Sequence, residues 1–139
     1  QYYVESATFS PDGRSVLTRS GDVRAKIWSV ASGERLHRLA GHQDRVEDAS
    51  FSPDRRRALT CSADRTAKLW CAASGDCLRT LRGHGDVVWK GSFSPDSHRL
   101  ITASADCTAR LWCAASGDCL RTLEGHQGAL HRASVSPDG

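Results

Sequence analysis

The chain has 139 residues, 39% of them hydrophobic and 25% charged, with 19 basic against 16 acidic side chains and a formal charge of +3. No stretch approaches the roughly 20 apolar residues that a bilayer span needs, and no basic-then-apolar leader opens the sequence. The charge is spread along the chain and is too mild to point to nucleic acid.

In chain order, the first landmarks are Ser10-Pro11-Asp12, Asp22, Trp28 and Gly41-His42. Each returns 42 residues later as Ser52-Pro53-Asp54, Asp64, Trp70 and Gly83-His84, and again as Ser94-Pro95-Asp96, Asp106, Trp112 and Gly125-His126. Ser136-Pro137-Asp138 then reopens the series. Several markers sharing one such period signal a repeat architecture. Within the second repeat, Val46–Phe51 is predicted as a strand ending at Ser52-Pro53-Asp54, where proline presets φ and aspartate bonds nearby backbone. Arg57–Ser62 returns as a second strand, Ala63-Asp64-Arg65 turns, Thr66–Trp70 alternates as a third strand, Ser74-Gly75-Asp76 turns again, and Cys77–Leu81 is the fourth. A lone four-stranded sheet leaves its apolar faces wet, so the repeats must stack.

The expected fold is all-β, a β-propeller of four-stranded antiparallel blades: residues 1–42, 43–84 and 85–126, with 127–139 the first strand of a fourth. Propellers typically have 4 to 8 blades. The chain is therefore expected to be a partial propeller, cut from a longer chain that supplies further blades, or else completed by homo-oligomerisation. Cys71 with Cys77, and Cys113 with Cys119, recur between repeats, but Cys61 and Cys107 do not and the first repeat has none. That irregularity favours reduced thiols in a reducing compartment over an essential disulfide framework, with a cross-hairpin disulfide as the alternative. No zinc-like spacing is present.

Gly-His, about two dozen residues, Asp, and Trp six residues later together resemble the WD-repeat (Trp-Asp repeat) propeller family along the whole chain. The naming dipeptide is absent, since Ser29, Cys71 and Cys113 follow the three tryptophans. Whatever contact that aspartate makes is therefore expected to be missing. The resemblance implies a hydrogen-bonded tetrad in each blade: His42, Thr60, Asp64 and Trp70, then His84, Thr102, Asp106 and Trp112. The first blade carries Thr18, Asp22 and Trp28 without a histidine, and the last repeat contributes His126. Such a buried polar chain stabilises only when every member is satisfied.

A histidine, a hydroxyl and an aspartate also suit nucleophilic catalysis, but that chemistry needs an exposed hydroxyl, an oxyanion site and a pocket. Recurrence in every repeat favours the structural role. No phosphate-loop or dinucleotide fingerprint occurs, so no enzyme activity, cofactor or metal is expected. Function should then lie where the repeats differ. Family resemblance places partner contacts at Tyr3, Glu5, Arg45, Glu47, Val87, Trp89 and His131, with Gly21, Ala63 and Ala105 beside the turns. Trp89 stands outside the recurring tryptophan position, and tryptophan and arginine are enriched at interface hot spots. Arg55-Arg56-Arg57 reads as a solvated turn.

The expected function is a non-enzymatic scaffold for protein–protein interactions, cytoplasmic or nuclear, with no membrane association. Two alternatives are the sensor region of a larger signalling ATPase or kinase, and an RNA-associated propeller.

Overall fold

The computed structural model describes residues 3–21 and 23–139. Twelve strands form three four-stranded antiparallel sheets, each in simple chain order. The first holds β1 (Val4–Phe9), β2 (Ser15–Ser20), β3 (Arg24–Ser29) and β4 (Arg35–Ala40). The second holds β5 (Val46–Phe51), β6 (Arg57–Ser62), β7 (Ala67–Cys71) and β8 (Cys77–Leu81). The third holds β9 (Val88–Phe93), β10 (Arg99–Ser104), β11 (Ala109–Cys113) and β12 (Cys119–Leu123). Strand β7 starts one residue later than expected because the Thr66 hydroxyl turns back to donate to Asp64 Oδ1 at 2.6 Å.

The recurring Ser-Pro-Asp turn is held by its own side chains. Ser52 Oγ–H donates to Asp54 Oδ1 at 2.6 Å, and the Arg56 N–H donates to the same oxygen at 3.0 Å. The next residue is left-handed in every copy: Gly13, Arg55, Ser97 and Gly139 have φ of 69°, 66°, 62° and 75°. Two of these are not glycine, and both reach the preceding blade. Ser97 Oγ accepts the Asp54 N–H at 3.1 Å, and the Arg55 guanidinium lies 3.6 Å from Asp12.

The core lies between the blades. Leu17, Ala25, Ile27 and Leu39 of the first sheet pack with Ala49, Ala58 and Trp70 of the second. Leu59, Cys61, Leu69 and Leu81 of the second pack with Val88, Leu100 and Trp112 of the third. Gly91 in β9 marks the closest approach, because a Cβ there would sit 2.5 Å from Leu59 Cδ2 and 2.7 Å from Cys61 Sγ. Alanine, which occupies the equivalent position 49 one blade earlier, is expected at position 91 to cost about 1–3 kcal/mol by overpacking. Chemical denaturation of Gly91→Ala measures that cost.

One expectation fails. Residues 127–139 form no strand, although the Leu130 N–H donates to Ser104 O at 2.9 Å. A first strand completes its ladder on the second strand of its own blade, and residues 127–139 are paired with none.

Tetrads and the candidate binding face

Each tetrad is a directed chain of hydrogen bonds. The Trp70 Nε1–H donates to Thr60 Oγ1 at 2.8 Å, and the Thr60 hydroxyl donates to His42 Nε2 at 2.7 Å. His42 Nδ1–H then donates to Asp64 Oδ2 at 2.8 Å. The third blade repeats this through Trp112, Thr102, His84 and Asp106 at 2.9, 2.7 and 2.8 Å. Only a neutral imidazole protonated on Nδ1 satisfies all four groups. Burial depresses the pKa of both histidines, against the pull of the paired carboxylates, which favours that neutral form.

Burial pushes the Asp64 carboxyl the other way, but the Thr66 hydroxyl, the Gln43 N–H and the His42 ring outweigh it and hold the pKa at about 2. Asp106 is lowered in the same manner by the Gly85 N–H, the Thr108 hydroxyl and His84. Thr66 and Thr108 are thus further members of the network. Their spacing, two residues after the tetrad aspartate, was the available signal. In the first blade Trp28 Nε1–H donates to Thr18 Oγ1 at 2.8 Å, and Asp22 lies outside the described residues. His126 is exposed. The Thr60 and Thr102 hydroxyls are fully buried, so neither can meet a substrate as a nucleophile.

Cys71 and Cys113 stand after the tryptophans of the second and third blades. The Ser74 hydroxyl donates to Asp76 Oδ2 at 2.7 Å, and hydrogen bonding from Ser74 and Ala73 lowers the Cys71 thiol pKa, as that from Ser116 and Ala115 lowers the Cys113 thiol pKa. In the first blade Ser29 Oγ accepts the Ser32 N–H at 3.3 Å. All six cysteines carry free thiols.

Trp89, which breaks the repeat, sits at a structural device shared with Glu5 and Glu47. The first strand of each blade has a β-bulge near its start, and the extra residue is Glu5 in β1, Glu47 in β5 and Trp89 in β9. A bulge re-aims the inserted side chain and stops pairing locally. Glu5 accepts two hydrogen bonds from Arg45 Nη2, at 2.8 and 2.9 Å, and a third from Arg19. Arg45 also lies 3.7 Å from Glu47. The Arg45 and Arg19 hydrogen bonds lower the Glu5 pKa, and sequence inspection alone did not reveal Arg19. The Trp89 and His131 rings meet at 5.6 Å. Tyr3 stands in solvent, 89% exposed, while Val87 is half-buried and its carbonyl accepts the Ala105 N–H at 2.9 Å. The candidate face therefore divides into an ion-paired half over the first two blades and an aromatic half over the third.

Among the described residues no group of three or more His, Cys, Asp or Glu side chains could hold a metal, and no helix is long and apolar enough to cross a membrane.

Comparison with known proteins agrees with this geometry. A solved structure titled "Structure of U3-55K" superposes with a TM-score of 0.87 over 93% of this chain and 41% of its own, at 28% identity. Three curated relatives match shorter segments. A probable serine/threonine-protein kinase, PkwA, of Thermomonospora curvata is 46% identical over 30% of this chain. A dynein assembly factor with WD repeat domains 1 of Xenopus laevis is 42% identical over 31%, and WD repeat-containing protein 38 of Mus musculus is 50% identical over 27%. The chain spans only 6%, 10% and 12% of their respective lengths. The family model described as "WD domain, G-beta repeat" matches residues 33–71 and 75–113, more than half of the sequence, and this chain belongs to that family.

Proposed function

We propose that this chain is a non-enzymatic scaffold segment that docks protein partners on the face carrying Tyr3, Glu5, Arg45, Glu47, Val87, Trp89 and His131, in the cytoplasm or nucleus. WD-repeat propellers generally serve as protein-interaction scaffolds, and further blades of the same longer chain would complete the ring. The observation that carries the reading is the bulge at the start of the first strand of each blade, which sets Trp89 at the place where the other two blades carry Glu5 and Glu47. A constant frame with variable inserted side chains is what partner-specific recognition requires. Trp89 supplies the hot-spot candidate, with large contact area at little entropic cost.

Affinity capture with the full-length protein tests this. Trp89→Ala is expected to weaken recovered partners about tenfold or more while leaving the melting temperature nearly unchanged. Arg45→Ala should have a smaller effect, because Glu5 already occupies its guanidinium. A folded Trp89→Ala protein that captures partners as well as wild type overturns the reading. The match to PkwA favours a second reading, a sensor region attached to a kinase. A kinase domain elsewhere in the full-length chain would decide for it.

A further inference from the structure

Strands β5 and β9 and residues 132–134 wall a cleft of about 550 Å³, within the 300–1,000 Å³ range typical of ligand sites. Positions 6, 48, 90 and 132 are equivalent by the 42-residue step and carry Ser, Asp, Lys and Arg, so the charge changes from one junction to the next. At the β5–β9 junction Asp48 accepts the Gly91 N–H at 3.1 Å and lies 3.2 Å from Lys90 Nζ. One blade later, Lys90 occupies the position equivalent to Asp48, and Arg132 the position equivalent to Lys90. Two cations, and the Ala133 N–H that corresponds to that of Gly91, therefore share a cleft with no carboxylate at the corresponding place. The Ser50 hydroxyl, on the same wall, is buried without a partner. Arg132 is exposed, and Lys90 can bridge Asp48 and a second anion because its ammonium has three donors.

We propose that this cleft receives an external carboxylate, an aspartate or glutamate side chain of an acidic partner segment, in the role that Asp48 plays one blade earlier. The proposal rests on the docking reading above and adds the partner's chemistry. Arg132 would hold the carboxylate by its planar fork of donors, and Lys90 would add a point charge.

The test titrates the full-length protein with a short peptide of alternating Glu and Gly, carrying a neutral dye, and with its Gln-for-Glu counterpart, by fluorescence anisotropy. The Glu peptide should bind and the Gln peptide should not, with affinity falling between about 50 and about 200 mM salt. Arg132→Gln should weaken binding about tenfold or more, and Lys90→Gln should weaken it as well. Arg56→Gln, in the exposed β5–β6 turn, should leave it within about twofold. Wild-type affinity in Arg132→Gln, or an equal loss in Arg56→Gln, overturns the site. Displacement of a probe by inorganic phosphate without any binding of the Glu peptide overturns the choice of ligand. If the Glu peptide fails while Trp89→Ala still abolishes partner capture, the acidic partner is rejected and the docking face stands. If the peptide binds but partner capture ignores Trp89, the docking face described above is the part that fails.

Discussion

Trp70→Ala is expected to destabilise the protein by about 3–5 kcal/mol, the cost of deleting a fully packed aromatic side chain. Trp70 is 1% exposed, and it packs on the first blade although it belongs to the second. The substitution thus opens the junction between two blades and also leaves Thr60 Oγ1 without the indole donor. Trp70→Phe separates these effects, since it keeps most of the ring volume and should lose about 1–2 kcal/mol, chiefly the hydrogen bond and the smaller ring. Urea or thermal unfolding of the two variants measures both. A loss below about 1 kcal/mol in Trp70→Ala would mean that the blades do not depend on this contact.

Acid should destabilise the protein in two stages to which the tetrads contribute. His42 and His84 have depressed pKa values in the fold, so the unfolded chain binds their protons more readily, and stability falls as pH drops below about 6.5. Asp64 has its pKa lowered from 3.8 to about 2. Its contribution is complete above pH 3.8 and disappears as pH falls toward 2, an amount of about 2 kcal/mol for this largely buried carboxyl. Asp106 acts in the same direction. In the double variant Asp64→Asn, Asp106→Asn the lower stage should shrink, leaving the part that Glu5 and the turn aspartates contribute, and neutral-pH stability should drop by about 1–3 kcal/mol for each charge-assisted network disturbed. Equilibrium unfolding at a series of pH values reads both stages. An unchanged acid limb in the double variant would place the titration elsewhere.

The periodic residues made the blades legible before any coordinates, because turn chemistry and the tetrad donors and acceptors act locally and leave marks at fixed spacing. Thr66 escaped notice as a network member because, read by alternation, it looks like the first residue of a strand. Its hydroxyl bonds within the turn instead. The bulges at Glu5, Glu47 and Trp89 were not legible either, since an inserted residue shows only once the partner strand fixes the register. Gly91 looks like a weak point within a strand until Leu59 and Cys61 of the neighbouring blade come within reach. The family resemblance places Arg45 on the binding face but says nothing about whether its charge is already taken, and Glu5 takes it. The final strand failed for the opposite reason: its sequence is regular, but a ladder needs a partner as well as a pattern.

Residues 71–81 and 113–123 are the same eleven amino acids, yet Leu81 is 1% exposed while Leu123 is 48% exposed. Whether this leucine is protected is decided by the following blade and not by its own. On a ribosome adding about 5–20 residues each second, the next 42 residues take about 2–8 s to arrive. During that interval every newly made blade shows its apolar face to the cell. The chain therefore has a vulnerability that recurs once per blade during synthesis, and the arrival of the next blade removes it, as it does for Leu81.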